Sequence, residues 1–295
     1  MSTLDAATRH DLTDAQWNLL KPLLPARSRY GRPRRYTLRD LINGIRHRIR
    51  TGCPWRHVPA RYGPWWRVYA LFRSWQLSGI WSRIEAELRA RADEDGKLGW
   101  DVSVDSTTAR AHIHAAGARR DSAQRVEGEP DDHALGRSRG GFSTKIHLAC
   151  DQHLQPVSFL LTAGQAGDSP QLIPVLERIR VPRPGPGRPR SRPDRVLADK
   201  AYSSRANRAH LRCRGIKTTI PVKDDQAKHR KARGSRGGRP PKFDAEAYKG
   251  RNVVERCFNA LKHNRAVATR CDKLAVRFEA VVQVASINRW LKRLS

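Results

Sequence analysis

The spacing of apolar residues changes near residue 100, and that change limits the fold more than any other feature of the chain. Before it, apolar residues recur at helical spacing. After it, apolar runs of strand length and period-two alternation appear, with helical stretches between and behind them. Such a chain folds as an all-α unit followed by an α/β unit. Its 295 residues leave room for both.

In the first part, Thr13 with Gln16 three residues on forms a capping box that opens a helix through Leu24. Thr37 caps a second helix, in which Leu38, Leu41, Ile42, Ile45 and Ile49 follow the helical period. Gly52 ends it. Pro54 and Pro59 break the chain, and Pro64 opens a third helix with Val68, Leu71, Phe72 and Trp75 on one stripe. A fourth helix is expected over 80–92. Six of the eight Trp lie between Trp17 and Trp81, which gives this unit an aromatic core.

In the second part, residues 100–105 alternate as a strand that ends on Asp105. A long polar loop is expected over 119–141. Strands over 144–150 and 157–162 with a turn at 151–154 complete a meander, and a helix covers 169–180. Residues 181–195 hold five Pro and five Arg and form a basic linker. A strand over 195–199 ends on Asp199, followed by a helix at 203–213 and a strand at 216–222. Residues 226–242 carry seven Lys/Arg and no acid, which predicts a flexible basic loop that orders on a polyanion. Helices at 251–266 and 274–293 close the chain, the last packing on the sheet.

Lys and Arg number 58 against 28 acids, a net charge of +30. Self-repulsion on this scale is offset by a polyanionic partner. From Arg27 to Arg83 there are 14 basic residues and one acid, Asp40. Two helices around a Pro-rich turn in such a segment resemble a helix-turn-helix. The 64–77 helix would then read the groove with Arg67 and Arg73, which face away from its apolar stripe. A basic bundle lying on phosphates is the other reading, and both imply DNA contact. Arg far outnumbers Lys, which suits bidentate phosphate and guanine contacts; a GC-rich genome gives the same bias.

Several classes are excluded. No run of about 18 apolar residues exists to span a membrane, and the first residues lack the basic and apolar regions of a secretory signal. Cys53, Cys150, Cys213, Cys257 and Cys271 are scattered and never form C-x-x-C, so neither a disulfide framework nor a zinc ribbon is expected. His112 and His114 form an H-x-H pair with no third ligand at suitable spacing.

The acids then become informative. Two strands lying side by side would bring Asp105 and Asp199 to one cation, and hard carboxylate oxygens suit Mg²⁺ or Mn²⁺. Either Asp alone is equally well a turn acceptor. On one continuous helix, Tyr248, Arg251, Glu255 and Lys262 would share a face about 60° wide. A helix beginning at Gly250 would leave Tyr248 before it. That face is either a surface ion-pair stripe or a third metal ligand with flanking cations for phosphates.

The spacing Tyr248-x2-Arg251-x3-Glu255-x6-Lys262 resembles the signature of insertion-sequence DDE transposases of the IS-four/IS-five superfamily, at every position and in its IS-five branch. Residues 104–107 are similar to that family's first-aspartate motif, and 198–202 to its second. Residues 141–147 and 164–168 resemble the motifs between them, and 12–17 and 52–56 the family's N-terminal segment. The resemblance covers almost the whole chain. It implies a ribonuclease-H-like catalytic core, a mixed sheet flanked by helices, over residues 96–295, with basic loops at 181–195 and 222–247. An all-α, helix-turn-helix-like DNA-binding domain over 1–95 precedes it.

The same resemblance implies that Asp105, Asp199 and Glu255 are catalytic and hold two Mg²⁺ or Mn²⁺ ions, one activating a water and the other stabilising the leaving 3′ oxygen. Arg251 and Lys262 would hold phosphates, and Tyr248 would stack on a base or bond a phosphate. The expected partner is double-stranded DNA, both the terminal inverted repeats and the target. A homodimer or larger assembly would form the synaptic complex in the bacterial cytoplasm, at the nucleoid, with no membrane contact. A structure-selective nuclease, a non-catalytic DNA-binding derivative and a basic RNA-binding protein are the competing readings.

Overall fold

The computed structural model describes residues 10–26, 35–118, 126–183 and 185–295. Residues 27–34 of the basic stretch, 119–125 of the expected polar loop and residue 184 of the basic linker lie outside the described residues, as do residues 1–9.

The helical part follows its caps. Helix α1 (Asp14–Leu20) starts at Thr13, whose side chain accepts from the Gln16 N–H. It gives way to a 3₁₀ turn at Lys21–Leu23, where Pro22 cannot donate, so the expected continuous helix to Leu24 is two pieces. Helix α2 (Leu38–Thr51) is capped by Thr37 and stops where Gly52 takes φ 71. It buries Leu41, Ile42, Ile45 and Ile49. A Cβ on its Gly44 would stand 2.9 Å from Cβ of Tyr62, so glycine lets the next segment close on α2. That segment crosses two 3₁₀ turns, Trp55–His57 and Ala60–Tyr62, before α3 (Trp65–Leu77), too long a path for the short turn of a helix-turn-helix. Helix α4 (Ile80–Glu94) completes the unit.

Strand β1 (Asp101–Ala111) does not end at Asp105 but runs six residues past it. Backbone pairing with residues 143–147 of a later strand holds this extension as far as Arg110. Its Ser-Thr-Thr stretch has no apolar alternation to announce it. A short helix α5 (Ile113–Ala116) follows, capped by His112. Next come β2 (Gly136–Ser138), which lies inside the expected loop, then β3 (Gly141–Asp151) and β4 (Pro156–Ala163). A 3₁₀ turn leads into α6 (Leu172–Glu177), and β5 (Arg195–Ala198), α7 (Arg205–Cys213) and a three-residue β6 (Lys217–Thr219) follow.

The expected flexible loop at 226–242 instead contains most of a helix, α8 (Asp224–Ala232). Asp224 and Asp225 in its first turn and His229, Arg230 and Lys231 in its last complement the helix dipole. It buries no residue, so no apolar period marked it. The chain closes with α9 (Ala245–Lys249), α10 (Val253–Lys262), α11 (Arg265–Ala268), β7 (Thr269–Arg270) and α12 (Ala275–Leu294).

Strands β1, β3 and β4 form the expected antiparallel meander, and β5 and β6 continue the sheet parallel to β1. This mixed sheet with helices packed on it is the architecture that the resemblance implied. The last helix does more than pack on the sheet. Trp290 of α12 donates to the Pro156 carbonyl of β4 at 3.0 Å. On the helical side, Ser286 donates to Glu85 at 2.5 Å, Gln283 to Ser82 at 2.8 Å and Arg277 to the Tyr69 hydroxyl at 2.9 Å. Buried apolar residues of both parts form one continuous core.

Candidate active site

Strands β1 and β5 pair in parallel with Val104 opposite Ala198. The next residue on each is a site aspartate, so Asp105 and Asp199 stand side by side across neighbouring strands, about 5 Å apart at the backbone. Asp105 Oδ1 accepts the Ser106 N–H at 2.8 Å. Asp199 caps the 3₁₀ turn that follows β5, accepting the Ala201 N–H at 2.6 Å. Asp199 thus spends one oxygen on a local turn bond, as the simpler reading anticipated, whereas Asp105, inside β1, accepts from the next residue of its own strand. What that reading leaves out is their convergence.

Glu255 comes from α10, which buries Val254, Cys257, Phe258 and Leu261 against the sheet and turns Glu255 outward. Its partner is Arg251, which donates to Asp105 Oδ2 at 2.9 Å and through its other nitrogen to Glu255 Oε1. One guanidinium therefore ties the first aspartate to the glutamate. Burial raises the Asp105 carboxyl above its ordinary value, and the Asp199 charge adds to the rise, while the Ser106 N–H and Arg251 oppose it. Burial pulls the other way on Arg251, but the charges of Asp105 and Glu255 leave its pKa above the ordinary value. Among the described residues no three His, Cys, Asp or Glu side chains are grouped to hold a metal. Arg251 lies between two of the expected ligands.

Tyr248, Arg251, Glu255 and Lys262 do not lie on one helix. Tyr248 is on α9, Arg251 in a 3₁₀ turn at Gly250–Asn252, and the other two on α10. The Gly250 break separates them, and Tyr248 rests against Phe243 with ring centroids 5.3 Å apart. Lys262 reaches back to β1, donating to the Thr107 hydroxyl at 2.7 Å and the Thr108 carbonyl at 3.0 Å. Burial lowers its pKa. It braces the strand extension beside Asp105 and is not free in solvent. Arg67 and Arg73 are exposed on α3, as expected, with the Arg67 guanidinium 4.8 Å from the ring centroid of the half-exposed Trp66. His112 and His114 are exposed, and their link is the helix cap.

A second polar group stands behind the aspartates, and sequence reasoning assigned it no role. Asp168 accepts from Ser106 Oγ at 2.7 Å and Lys145 Nζ at 2.8 Å. Lys145 also donates to the Ala166 carbonyl at 2.8 Å. Ser106 therefore gives its N–H to Asp105 and its hydroxyl to Asp168. Tyr202 is 1% exposed, and its hydroxyl has no hydrogen-bond partner among the described residues. Burial, then the charges of Asp105, Asp168 and Asp199, hold its pKa far up. Lys145 and Asp168 lie in two of the resembling motifs; no spacing rule joins them across a sequence separation of 23.

Residues 97–288 match the family model "Transposase DDE domain", and residues 12–85 match "Putative transposase of IS4/5 family". The chain belongs to the DDE transposase family. Among curated relatives of this transposase, the "Putative transposase for insertion sequence element IS6501" of Brucella ovis is 29% identical over 150 residues, 51% of this chain and 99% of its own. The "Putative transposase for insertion sequence element IS402" of Burkholderia cepacia is 34% identical over 139 residues, 47% of this chain and 57% of its own. A Mos1 transposase in a pre-cleavage transpososome aligns over 92% of this chain and 81% of that one, at 12% identity and a TM-score of 0.25, too low to support any argument about this fold. This transposase is an enzyme of DNA cleavage and strand transfer. Among the described residues no helix is long and apolar enough to cross a membrane.

Proposed function

We propose that Asp105, Asp199 and Glu255 are the catalytic carboxylates, and that the helical part, residues 1–95, binds the terminal inverted repeats with Arg67 and Arg73. The observation that carries this reading is the parallel register that sets Asp105 beside Asp199, with Glu255 joined to Asp105 through Arg251.

DDE transposase domains work with divalent metal ions, and the donor set here fits one. It consists of carboxylate oxygens, hard ligands suited to Mg²⁺ or Mn²⁺. The side-by-side aspartates, one with a raised pKa, favour a nearby cation. Asp105, Asp199 and Glu255 would hold two such ions, which when bound supply an activated water and charge stabilisation at the leaving 3′ oxygen.

The chain's own groups do the positioning. Ser106 and the Asp168–Lys145 pair fix the orientation of Asp105. Arg251 neutralises two carboxylates, and its fork of donors matches a phosphate as well as it matches them. Lys262 holds β1 straight beside the site. Tyr248 presents a ring to a base or a hydroxyl to a phosphate. Bringing two element ends together calls for at least two copies of the chain in the working complex.

Replacing Asp105, Asp199 or Glu255 by Ala abolishes Mg²⁺-dependent end cleavage and leaves end binding intact. A variant that still cleaves removes its residue from the catalytic set. A protein that cleaves but never joins is a nuclease.

A further inference from the structure

Strand β6 pairs only with β5 among the described strands, and its outer edge borders a groove of about 1030 Å³. Six cations line it: Arg195, Arg208, Arg212, Lys217, Arg239 and Lys242. The one lining acid, Asp244, is taken by Arg195 at 2.7 Å. Arg208 is also engaged, donating to the Ile220 carbonyl at 2.9 Å and to Ser203. Arg212, Lys217, Arg239 and Lys242 are exposed and have no acidic partner among the described residues.

We infer that this groove binds the phosphate backbone of the target DNA duplex. Half of the residues that line it are cations and the single acid is already paired, which fits a polyanion. No aromatic side chain lines it, so it offers no platform for stacking the bases of a single strand. Its free Arg and Lys side chains suit phosphates, and end recognition is assigned above to the helical part, which leaves this surface to the target duplex. Arg195 begins β5, and Asp199 follows its last residue, so the groove and the aspartate lie roughly 13 Å apart along one strand. A duplex in the groove passes within reach of the site where its phosphodiester is attacked. This inference rests on the strand-transfer reading above.

The test uses the full chain with Arg212→Ala, Lys217→Ala, Arg239→Ala and Lys242→Ala combined, all surface changes. Binding to a non-specific duplex, followed by fluorescence anisotropy across a salt series, should show the slope of log K against log[salt] shrinking by about 3 to 4 in magnitude. With pre-cleaved ends, strand transfer into subsaturating plasmid should fall roughly tenfold or more and recover at excess plasmid, as expected for lost phosphate contacts. End binding and end cleavage should stay within about twofold, the size expected if no end contact is lost. An unchanged salt slope overturns the groove as a DNA site. Parallel loss of end binding and cleavage assigns it to the element end and also overturns the inference. If the wild-type chain neither cleaves nor joins, the catalytic reading fails, and the salt slope still decides whether the groove holds DNA.

Discussion

At the scale of single residues, Arg251 is the most informative side chain. It spans Asp105 and Glu255, which a lysine with one ammonium cannot do in the same geometry. Arg251→Ala should lower the stability of the metal-free protein by about 1.5–3 kcal/mol, the range for hydrogen bonds to charged groups. It should also enlarge the rise in Tm that Mn²⁺ produces, because the carboxylates lose their internal cation. A Tm shift equal to that of the wild type would show that Arg251 does not compete for the metal position. Ser106 and Asp168 form a second testable pair. Ser106→Ala and Asp168→Asn, alone and together, should show a coupling of about 1 kcal/mol in chemical denaturation. Strictly additive effects would mean that the 2.7 Å bond has no net stabilising effect. The proposed catalytic acids were legible because Asp105 lies within an apolar strand, Asp199 follows one, Glu255 sits on a helix at the signature spacing, and each matches a family motif. Asp168, Lys145 and Tyr202 were not, because their meeting depends on β3, β4 and the turn after β5 folding onto one another.

At the scale of elements, capping and burial decide which segments were readable. Helix α2 declared itself through Thr37, its apolar period and Gly52, all local signals. Helix α8 and the far half of β1 gave none, since one buries nothing and the other is polar. With no buried side chain, α8 should show backbone amide exchange much faster than α12, measured by hydrogen exchange at neutral pH. Helix α12 has no cap of its own. Glu129 supplies one from the loop before β2, accepting the Ala275 N–H at 2.7 Å and the Val276 N–H at 3.0 Å. Glu129→Ala should cost about 1–2 kcal/mol in urea denaturation, the range for a lost cap with a favourable charge at a helix N-terminus. Values near zero would show that the loop does not anchor the helix.

At the scale of the whole molecule, α12 unites the two parts, a role its strong apolarity did not reveal because it is buried on several sides. Its contact with α4 includes the buried Glu85, bonded to Ser286. Burial raises the Glu85 carboxyl above its ordinary value, with Arg89 and Ser286 pulling partly back. The folded state therefore holds the proton more tightly than the unfolded chain. That group's contribution is present below about pH 4.5 and is lost as pH rises from there through the folded value. Glu85→Gln should flatten this dependence, so its Tm advantage over the wild type grows with pH; a constant difference would contradict the burial argument. The net charge of +30 has a distribution that matters more than its sum. It covers the helical part and the groove beside β6, while the acids of the site are drawn together in between. On the proposed reading, end recognition, cleavage and target capture fall on three separate surfaces of one chain.

Asp105, Asp199 and Glu255 are proposed to share divalent metal. The most direct test replaces Mg²⁺ by Fe²⁺ in the end-bound complex and adds ascorbate and peroxide, so that radicals cut the polypeptide beside the ion. The account predicts fragments ending close to residues 105, 199 and 255, lost together when excess Mg²⁺ is added. Fragments ending beside other acids, such as Asp224 and Asp225, with none at those three positions, would contradict it.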